Sequence, residues 1–178
     1  MTPKNIRAVF PGTFDPIHCG HIDIANRAAR IFDEVIIAVY NRPLKNLLFS
    51  PDERIALATE SFKDSENIQV TGYSGLTVEF CKEIGAQVIV RGLRVFSDFE
   101  YEFRMALANH RLAAEIEVIA LITHEEHTFL SGSTVREIAS LHGDVSSLVP
   151  AHVQIALEER FGELGEEQQI VPTSSLRD

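Results

Sequence analysis

Five short apolar segments constrain the fold of this 178-residue chain more than any other feature. Each is rich in Val and Ile and is apolar on both faces, a pattern typical of strands in a parallel sheet that helices cover on both sides. The segments are Ile6–Pro11, Glu34–Tyr40, Ile68–Gly72, Gln87–Val90 and Val118–Thr123. Longer segments with helical periodicity separate them. The sequence therefore predicts an α/β fold with a doubly wound, five-stranded parallel sheet and additional C-terminal helices.

Local signals mark the ends of the intervening helices. Ser50–Glu53 combines a capping serine, a proline suited to the first helical position and a glutamate that completes a capping box. Gly85 is placed to end a helix over residues 77–84. A last amphipathic helix is expected over residues 151–161, and the periodicity is lost after Phe161. We therefore expect one domain over residues 1–161 and an acidic, mobile tail over residues 162–178.

Charge and composition exclude several classes of protein. The net charge is −10, from 16 Lys and Arg against 26 Asp and Glu, which argues against broad binding to nucleic acid or to anionic membranes. The longest apolar run, Val35–Tyr40, is far shorter than the roughly 20 residues of a membrane helix. There is no apolar signal-peptide core at the N-terminus, and two cysteines are too few for a disulfide framework. We expect a cytoplasmic, reduced protein without a nucleic-acid or membrane partner.

The residues that follow the strands indicate the ligand, because ligands of such sheets bind at the carboxyl ends of the strands. Residues 12–21 form a glycine-containing turn that enters a helix near Gly20 and His21, where free backbone N–H groups favour a phosphate. Residues 41–49 and 91–96 hold four cations and no acid in a chain that is acidic overall. A phosphate-rich small molecule is the simplest occupant, although a plain strand-to-helix turn and solvated surface cations would give parts of the same pattern.

Two further segments allow two interpretations each. Arg91 ends an apolar strand and needs an anionic partner, which is either a ligand phosphate or an acid among Asp98, Glu100 and Glu102. Residues 128–136 combine hydroxyl groups with a helix start, which suits either phosphate binding or ordinary serine capping. The sequence contains neither a Walker P-loop nor a G-x-G-x-x-G fingerprint, so a Walker NTPase and a typical dinucleotide dehydrogenase are not expected.

Two motifs together resemble a known enzyme family. Pro11–Pro16 followed by His18–His21 resembles the first motif of the HxGH nucleotidylyltransferases. Arg91–Arg94 followed by Asp98–Glu102 narrows the resemblance to the bacterial phosphopantetheine adenylyltransferases, over roughly residues 5–161. The family's late motif, Ile-Ser-Ser-(Ser/Thr), reads Leu130–Ser133 here. Gly132 therefore replaces a serine, so this position keeps its backbone N–H but offers no hydroxyl contact.

The resemblance implies transfer of the adenylyl group of ATP to the 4′-phosphate of phosphopantetheine. The products are dephospho-coenzyme A and pyrophosphate, and the acceptor phosphate attacks directly and in line. The resemblance further implies that His21 stabilises the transition state and that Lys45 and Arg94 are also catalytic. The implied acceptor site contains Thr13, Lys45, Thr77 and Arg91. The implied ATP site contains Thr13, Phe14, His21, Gly92, Leu93, Arg94, Glu102, His127, Thr128, Phe129, Leu130, Ser131, Gly132 and Ser133.

The resemblance also implies a cofactor and partners. Mg²⁺ would be bridged by ATP phosphates and water, with no protein metal site. A homohexamer and feedback inhibition by coenzyme A are implied in the same way.

Three alternatives stay open on the sequence. One is an HxGH enzyme that uses nicotinate mononucleotide or glycerol 3-phosphate as acceptor, and another is a noncatalytic nucleotide-binding regulator. The third is a metal hydrolase using His18, Cys19, His124 and His127. A separate zinc site of His18, Cys19 and His21 is not expected, because their spacing is too tight for the usual structural zinc sites.

Overall fold

The computed structural model describes residues 5–41 and 47–164, and it contains the five predicted strands. Strands and helices alternate through most of this part of the chain, and two helices follow the last strand. The elements are β1 (Arg7–Gly12), α1 (Cys19–Ala29), β2 (Glu34–Tyr40), α2 (Pro51–Ser61), β3 (Ile68–Tyr73), α3 (Thr77–Ile84), β4 (Val88–Leu93), α4 (Phe96–Leu112), β5 (Glu117–Ile122), α5 (Gly132–Ser140) and α6 (Ala151–Leu164). A single 3₁₀ turn, Glu125–His127, lies between β5 and α5.

All strand pairs are parallel, in the order β3-β2-β1-β4-β5, which confirms the predicted doubly wound sheet. The central strand β1 and its neighbour β2 are almost completely buried, and alternate residues of β1 face opposite sides of the sheet. Phe10 belongs to one buried cluster and Val9 to the other. The strand order reverses between β1 and β4, and an open α/β sheet forms its ligand crevice at such a reversal.

The predicted helix signals are present. Ser50 and Glu53 form the capping box, with the Glu53 N–H donating to Ser50 Oγ at 3.4 Å and the Ser50 N–H donating to Glu53 Oε2 at 2.7 Å. Gly85 ends α3 at a φ of 68°, a left-handed conformation that a glycine adopts without a Cβ clash.

Four elements extend past their predicted ends, β1 and β3 by one residue each and β4 and α6 by three residues each. β4 continues to Leu93, so Arg91 and Gly92 belong to the strand and pair with β5. α6 continues through Gly162 to Leu164, because Leu164 packs against the main core and so compensates for the low helix propensity of glycine. Helix α6 therefore ends three residues after its predicted end at Phe161. Residues 165–178 lie outside the described part of the chain.

One face of the domain exposes apolar side chains. α4 has no buried residue, and its Phe96, Phe99 and Phe103 are exposed, with Phe96 86% accessible. β5 is the edge strand beside this helix, and its Ile122 is exposed too. Within residues 5–41 and 47–164, no helix is long and apolar enough to cross a membrane.

Candidate active site

A cavity of about 520 Å³ opens at the carboxyl edge of the sheet, where the strand order reverses between β1 and β4. Several predicted site residues meet in its wall although they are far apart in the sequence. These residues are Thr13, Phe14, His21, Arg91, Gly92, Arg94, Glu102 and His127. The structure therefore brings this set together at the strand ends, and the ligand-binding roles of these residues stay predictions.

Paired imidazoles at the start of α1 fix the orientation of His21. The His18 N–H donates to His21 Nδ1 at 3.3 Å, and the His21 N–H donates to His18 Nδ1 at 3.4 Å. The two rings stack with their centroids 3.6 Å apart, and the Phe14 ring meets His21 edge-on at 4.9 Å. Because Nδ1 accepts a hydrogen bond, the neutral His21 ring carries its proton on Nε2.

Gly20 makes this close arrangement possible. A Cβ at Gly20 would lie 3.2 Å from the His18 ring and 3.5 Å from His127 Cβ. A side chain would therefore crowd the paired imidazoles, which explains a glycine between the two histidines.

The environment of His21 keeps its ring uncharged near neutral pH. Burial, together with the nearby Arg94 and Arg91 guanidiniums, lowers the pKa of His21 to about 3. His21 thus offers a neutral N–H donor to the cavity, beside two permanent positive charges. Such a donor can bind an anionic oxygen without gaining or losing a proton itself.

This low pKa predicts a pH-dependent stability difference. Below pH 6.5 the unfolded chain protonates His21 while the folded chain does not, so folding loses stability as the pH falls. We expect His21→Asn to lose about 2 kcal/mol less unfolding free energy than the wild type between pH 7 and pH 5. Urea titrations of both proteins at each pH measure this. Parallel pH profiles for the two proteins would show that His21 titrates normally in the fold.

Both predicted arginines of β4 and its following turn are held by carboxylates of α4. Arg91 donates through Nε and Nη2 to Glu102 at 2.8 and 2.7 Å, and through Nη1 to the Pro11 carbonyl at 2.8 Å. The sequence left open whether Arg91 pairs with a ligand phosphate or with an acid of the chain, and the structure shows Glu102 as its acidic partner. The bidentate pair keeps the guanidinium in place at the cavity wall.

Arg94 links three segments around the cavity. Its Nε donates to Asp98 Oδ2 at 3.1 Å, and its Nη1 donates to the Leu130 carbonyl at 2.7 Å. Although burial alone would raise it, the hydrogen bonds from Arg94 hold the pKa of Asp98 below its usual range. Arg94 therefore ties the start of α4 to the loop that enters α5.

The late motif forms a helix start, as predicted. Ser131 caps α5, with its Oγ accepting the Thr134 N–H at 3.0 Å, and Gly132 is the first helical residue. Leu130 is buried and Phe129 is exposed, while Leu93 ends β4. Leu93 and residues 128–133 surround the cavity region without belonging to its wall, so their roles stay predictions.

Two predicted acceptor residues stand apart from the rest. Thr77 begins α3 and shares a 2.9 Å hydrogen bond with the hydroxyl of Tyr73, which does line the cavity. Lys45 lies outside the described residues, as does Arg42. The role of Lys45 stays a prediction from the resemblance.

The sequence analysis missed the aromatic part of the site. The chain contains three tyrosines, and Tyr40, Tyr73 and Tyr101 all line this cavity. Tyr40 and Tyr73 end β2 and β3 in register, with ring centroids 5.2 Å apart. The signal was available, because both strands end in tyrosine. Gly12, His18 and Gly20 also line the cavity and belong to the predicted phosphate-binding turn of residues 12–21. Lining residues outside the predicted ligand-binding segments include Phe10, Pro11, Ser97 and Asp98.

Metal-binding side chains are not grouped in the described ranges. No set of three or more His, Cys, Asp or Glu there could hold a metal ion. His18, Cys19, His124 and His127 therefore do not form the ligand cluster that the hydrolase alternative requires.

Comparisons with known proteins agree with this geometry. The family model described as cytidylyltransferase-like matches residues 9–138. A phosphopantetheine adenylyltransferase of Roseiflexus castenholzii is 54% identical over 155 residues, 87% of this chain and 97% of that protein. One of Herpetosiphon aurantiacus is 51% identical over 154 residues, 86% of this chain and 93% of that protein.

A solved structure supports the fold separately. A Vibrio parahaemolyticus protein assigned to the nicotinate-nucleotide adenylyltransferases superposes with a TM-score of 0.66, covering 86% of this chain and 99% of its own. At 20% identity, that likeness shows the nucleotidylyltransferase fold alone. The two phosphopantetheine adenylyltransferases are more than twice as similar in sequence, and the similarity covers 93% and 97% of their own length. The chain therefore belongs to the phosphopantetheine adenylyltransferase family, within the cytidylyltransferase-like nucleotidyltransferases.

Proposed function

We propose that this enzyme transfers the adenylyl group of ATP to the 4′-phosphate of phosphopantetheine, giving dephospho-coenzyme A and pyrophosphate. The observation that carries the proposal is that the neutral His21 N–H, Arg91 and Arg94 line one cavity, where the strand order reverses between β1 and β4. Such a site suits a reaction between two phosphates, because it supplies anion-binding groups on several sides of one space.

The two halves of the cavity suit the two substrates. Gly92, Arg94 and His127 belong to the β4–β5 half, beside the start of α5, and this half suits the nucleotide. Tyr40 and Tyr73 belong to the β2–β3 half, which suits the longer organic chain of the acceptor. Thr13 and His21 lie between the halves, on the β1 turn and α1, where the reacting phosphates would meet.

Catalysis then rests on positioning and on electrostatic stabilisation. An acceptor phosphate oxygen attacks the α-phosphorus of ATP, the bond to the pyrophosphate oxygen breaks, and negative charge grows on the α-phosphoryl oxygens and on the leaving group. A preorganised His21 Nε2–H can stabilise the first charge, and the arginines can stabilise the others. No protein nucleophile is needed, and burial raises the pKa of the neighbouring Cys19 thiol, which keeps it protonated.

Mg²⁺ is part of the proposed reaction as an ion carried by ATP phosphates and water. The cavity fits this arrangement, because its carboxylates Asp98 and Glu102 are engaged with arginines, and these arginines line the space that the phosphates would occupy. When bound, the ion neutralises phosphate charge. The contribution of the chain is to hold the phosphates through Arg91, Arg94 and the β1 turn.

The exposed apolar face of α4 and β5 supports the proposal of a homohexamer. Adjacent exposed aromatic rings, with Phe99 and Phe103 stacked at 5.8 Å, form the kind of patch that subunit contacts cover. Inhibition by coenzyme A is proposed because that molecule contains both the adenylyl half and the pantetheine half of the product. We also propose a cytoplasmic location.

An acceptor screen tests the proposed function. The full chain is incubated with ATP, Mg²⁺ and one phosphate ester at a time, and pyrophosphate release is measured. Phosphopantetheine should give the highest kcat/KM, above nicotinate mononucleotide and glycerol 3-phosphate. A preference for either of those would select the alternative acceptor, and no release with any ester would favour a noncatalytic regulator.

A further inference from the structure

A buried arginine outside the cavity connects three backbone segments of the site. Arg54 on α2 is 1% exposed and does not line the cavity. Its Nη1 donates to the carbonyls of Thr13 at 2.6 Å and Tyr40 at 3.0 Å, and its Nε donates to the Phe49 carbonyl at 3.2 Å. One rigid guanidinium therefore fixes the β1 turn, the end of β2 and the start of α2 relative to one another.

A buried carboxylate reinforces the same connection from the β1 turn. Asp15 Oδ2 accepts the Leu48 N–H at 2.8 Å, and Oδ1 accepts the Phe49 N–H at 2.9 Å. Arg136 of α5 donates to Asp15 Oδ2 at 3.2 Å and to the Asp15 carbonyl. Asp15 thus joins the residues before α2 to the β1 turn and to α5.

The two groups hold residues on both sides of segment 42–46. Tyr40 precedes this segment and lines the cavity, while Leu48 and Phe49 follow it. Lys45 belongs to the segment by sequence. The distance between the Thr13 turn and the chain that flanks this segment is therefore set by Arg54 and Asp15.

Thr13 is the residue through which Arg54 influences the cavity, because Thr13 lines the cavity and its carbonyl accepts a hydrogen bond from Arg54. A peptide group is planar and trans, so binding the Thr13 carbonyl to Arg54 turns the Phe14 N–H to the opposite side. Phe14 has a φ of 49°, a left-handed conformation that costs a non-glycine residue about 1–3 kcal/mol unless its surroundings impose it. Arg54 binds the Thr13 carbonyl before this residue, and Arg136 binds the Asp15 carbonyl after it, while the Asp15 carboxylate holds the Leu48 and Phe49 amides.

We propose that Arg54 and Asp15 are positioning residues for adenylyl transfer, which set the β1 turn against the acceptor half of the cavity. The inference rests on the proposed function. Neither side chain contacts the reacting groups, and both act through the backbone of Thr13, Tyr40, Leu48 and Phe49.

The test compares Arg54→Lys with Arg160→Lys in the full chain. Lysine keeps the charge of Arg54 but cannot hold three carbonyls in a planar fork. Arg160 is the matched control, because it donates to the Leu48 carbonyl at 2.9 Å and packs on Phe49 without reaching Thr13 or Tyr40. The measurements are kcat and KM for phosphopantetheine, Kd for ATP by calorimetry, and amide hydrogen exchange, all well below the unfolding temperature.

We expect Arg54→Lys to lower kcat/KM for phosphopantetheine by about 10²-fold, the order expected from a misplacement of about 1 Å. Its ATP Kd should change much less than the acceptor kcat/KM, because Arg54 binds Tyr40 and Phe49 beside the acceptor half as well as the Thr13 turn, and the Leu48 and Phe49 amides should exchange faster. Arg160→Lys should match the wild type in every measurement. Wild-type kinetics in Arg54→Lys, or equal losses for ATP and for the acceptor, would overturn the positioning role.

Two further outcomes keep the test decisive. If Arg54→Lys does not fold, Asp15→Asn takes its place. It should also lower kcat/KM for phosphopantetheine more than it weakens ATP binding. Wild-type kinetics in Asp15→Asn would contradict the positioning role. If the wild type itself forms no dephospho-coenzyme A, the proposed function fails. Hydrogen exchange then decides the structural part alone, and equal exchange in Arg54→Lys and Arg160→Lys overturns it.

Discussion

Replacing His21 with alanine should lower kcat at least about 10²-fold while leaving the affinity for ATP largely intact. The reason is that a preorganised neutral donor acts on charge that develops in the transition state, and its removal leaves most ground-state contacts in place. His21 is suited to this role because its pKa of about 3 keeps the ring neutral and its Nδ1 is occupied by the His18 N–H. Steady-state rates and ATP calorimetry measure the two quantities.

His124→Ala is the matched control for this variant. His124 follows β5 at the same edge of the sheet, is 56% exposed on its side chain and contacts Asp23 without lining the cavity. It should turn over at the wild-type rate. Near-normal turnover in His21→Ala, or an equal loss in both variants, would remove His21 from the mechanism.

Replacing Arg91 with alanine should have two separable effects. It should raise KM for phosphopantetheine more than KM for ATP, because the lost cation is assigned to the acceptor phosphate. It should also destabilise the fold by about 3 kcal/mol, since Glu102 would remain as a largely buried carboxylate without its bidentate partner. Kinetics for each substrate and urea unfolding measure these effects.

The double variant Arg91→Ala/Glu102→Ala separates the two effects. It removes both charges, so most of the lost stability should return while the acceptor KM stays high. Recovery of both properties together would mean that Arg91 serves the fold alone. Lys45→Ala should repeat the acceptor effect, by the resemblance, and equal calorimetric losses for ATP and phosphopantetheine would contradict the assignment of either residue.

The fold was predictable because its signals are local. Strands that are apolar on both faces predict a covered parallel sheet, and the Ser50 and Gly85 signals predict helix ends through backbone geometry. The position of the site followed from the fold, because parallel strands bring their carboxyl ends to one edge. His21, Arg91 and Arg94 could therefore be assigned to one cavity before any coordinates.

The remaining features depend on contacts between distant residues. The choice of Glu102 rather than Glu100 as the partner of Arg91 depends on the rotation of α4 against β4. The low pKa of His21 depends on burial, which no motif states. Arg54 resembles any other arginine of an exposed amphipathic helix in the sequence, and only the fold brings the Thr13, Tyr40 and Phe49 carbonyls to it.

An isotope experiment most clearly tests whether the acceptor phosphate is the group that receives the α-phosphoryl group of ATP. The full chain is incubated with ATP, Mg²⁺ and phosphopantetheine whose phosphate carries ¹⁸O, and the products are analysed by mass spectrometry. Direct attack by the acceptor phosphate predicts dephospho-coenzyme A that retains all of the label, with unlabelled pyrophosphate. Unlabelled AMP beside unchanged phosphopantetheine, or label in the pyrophosphate, would contradict the account.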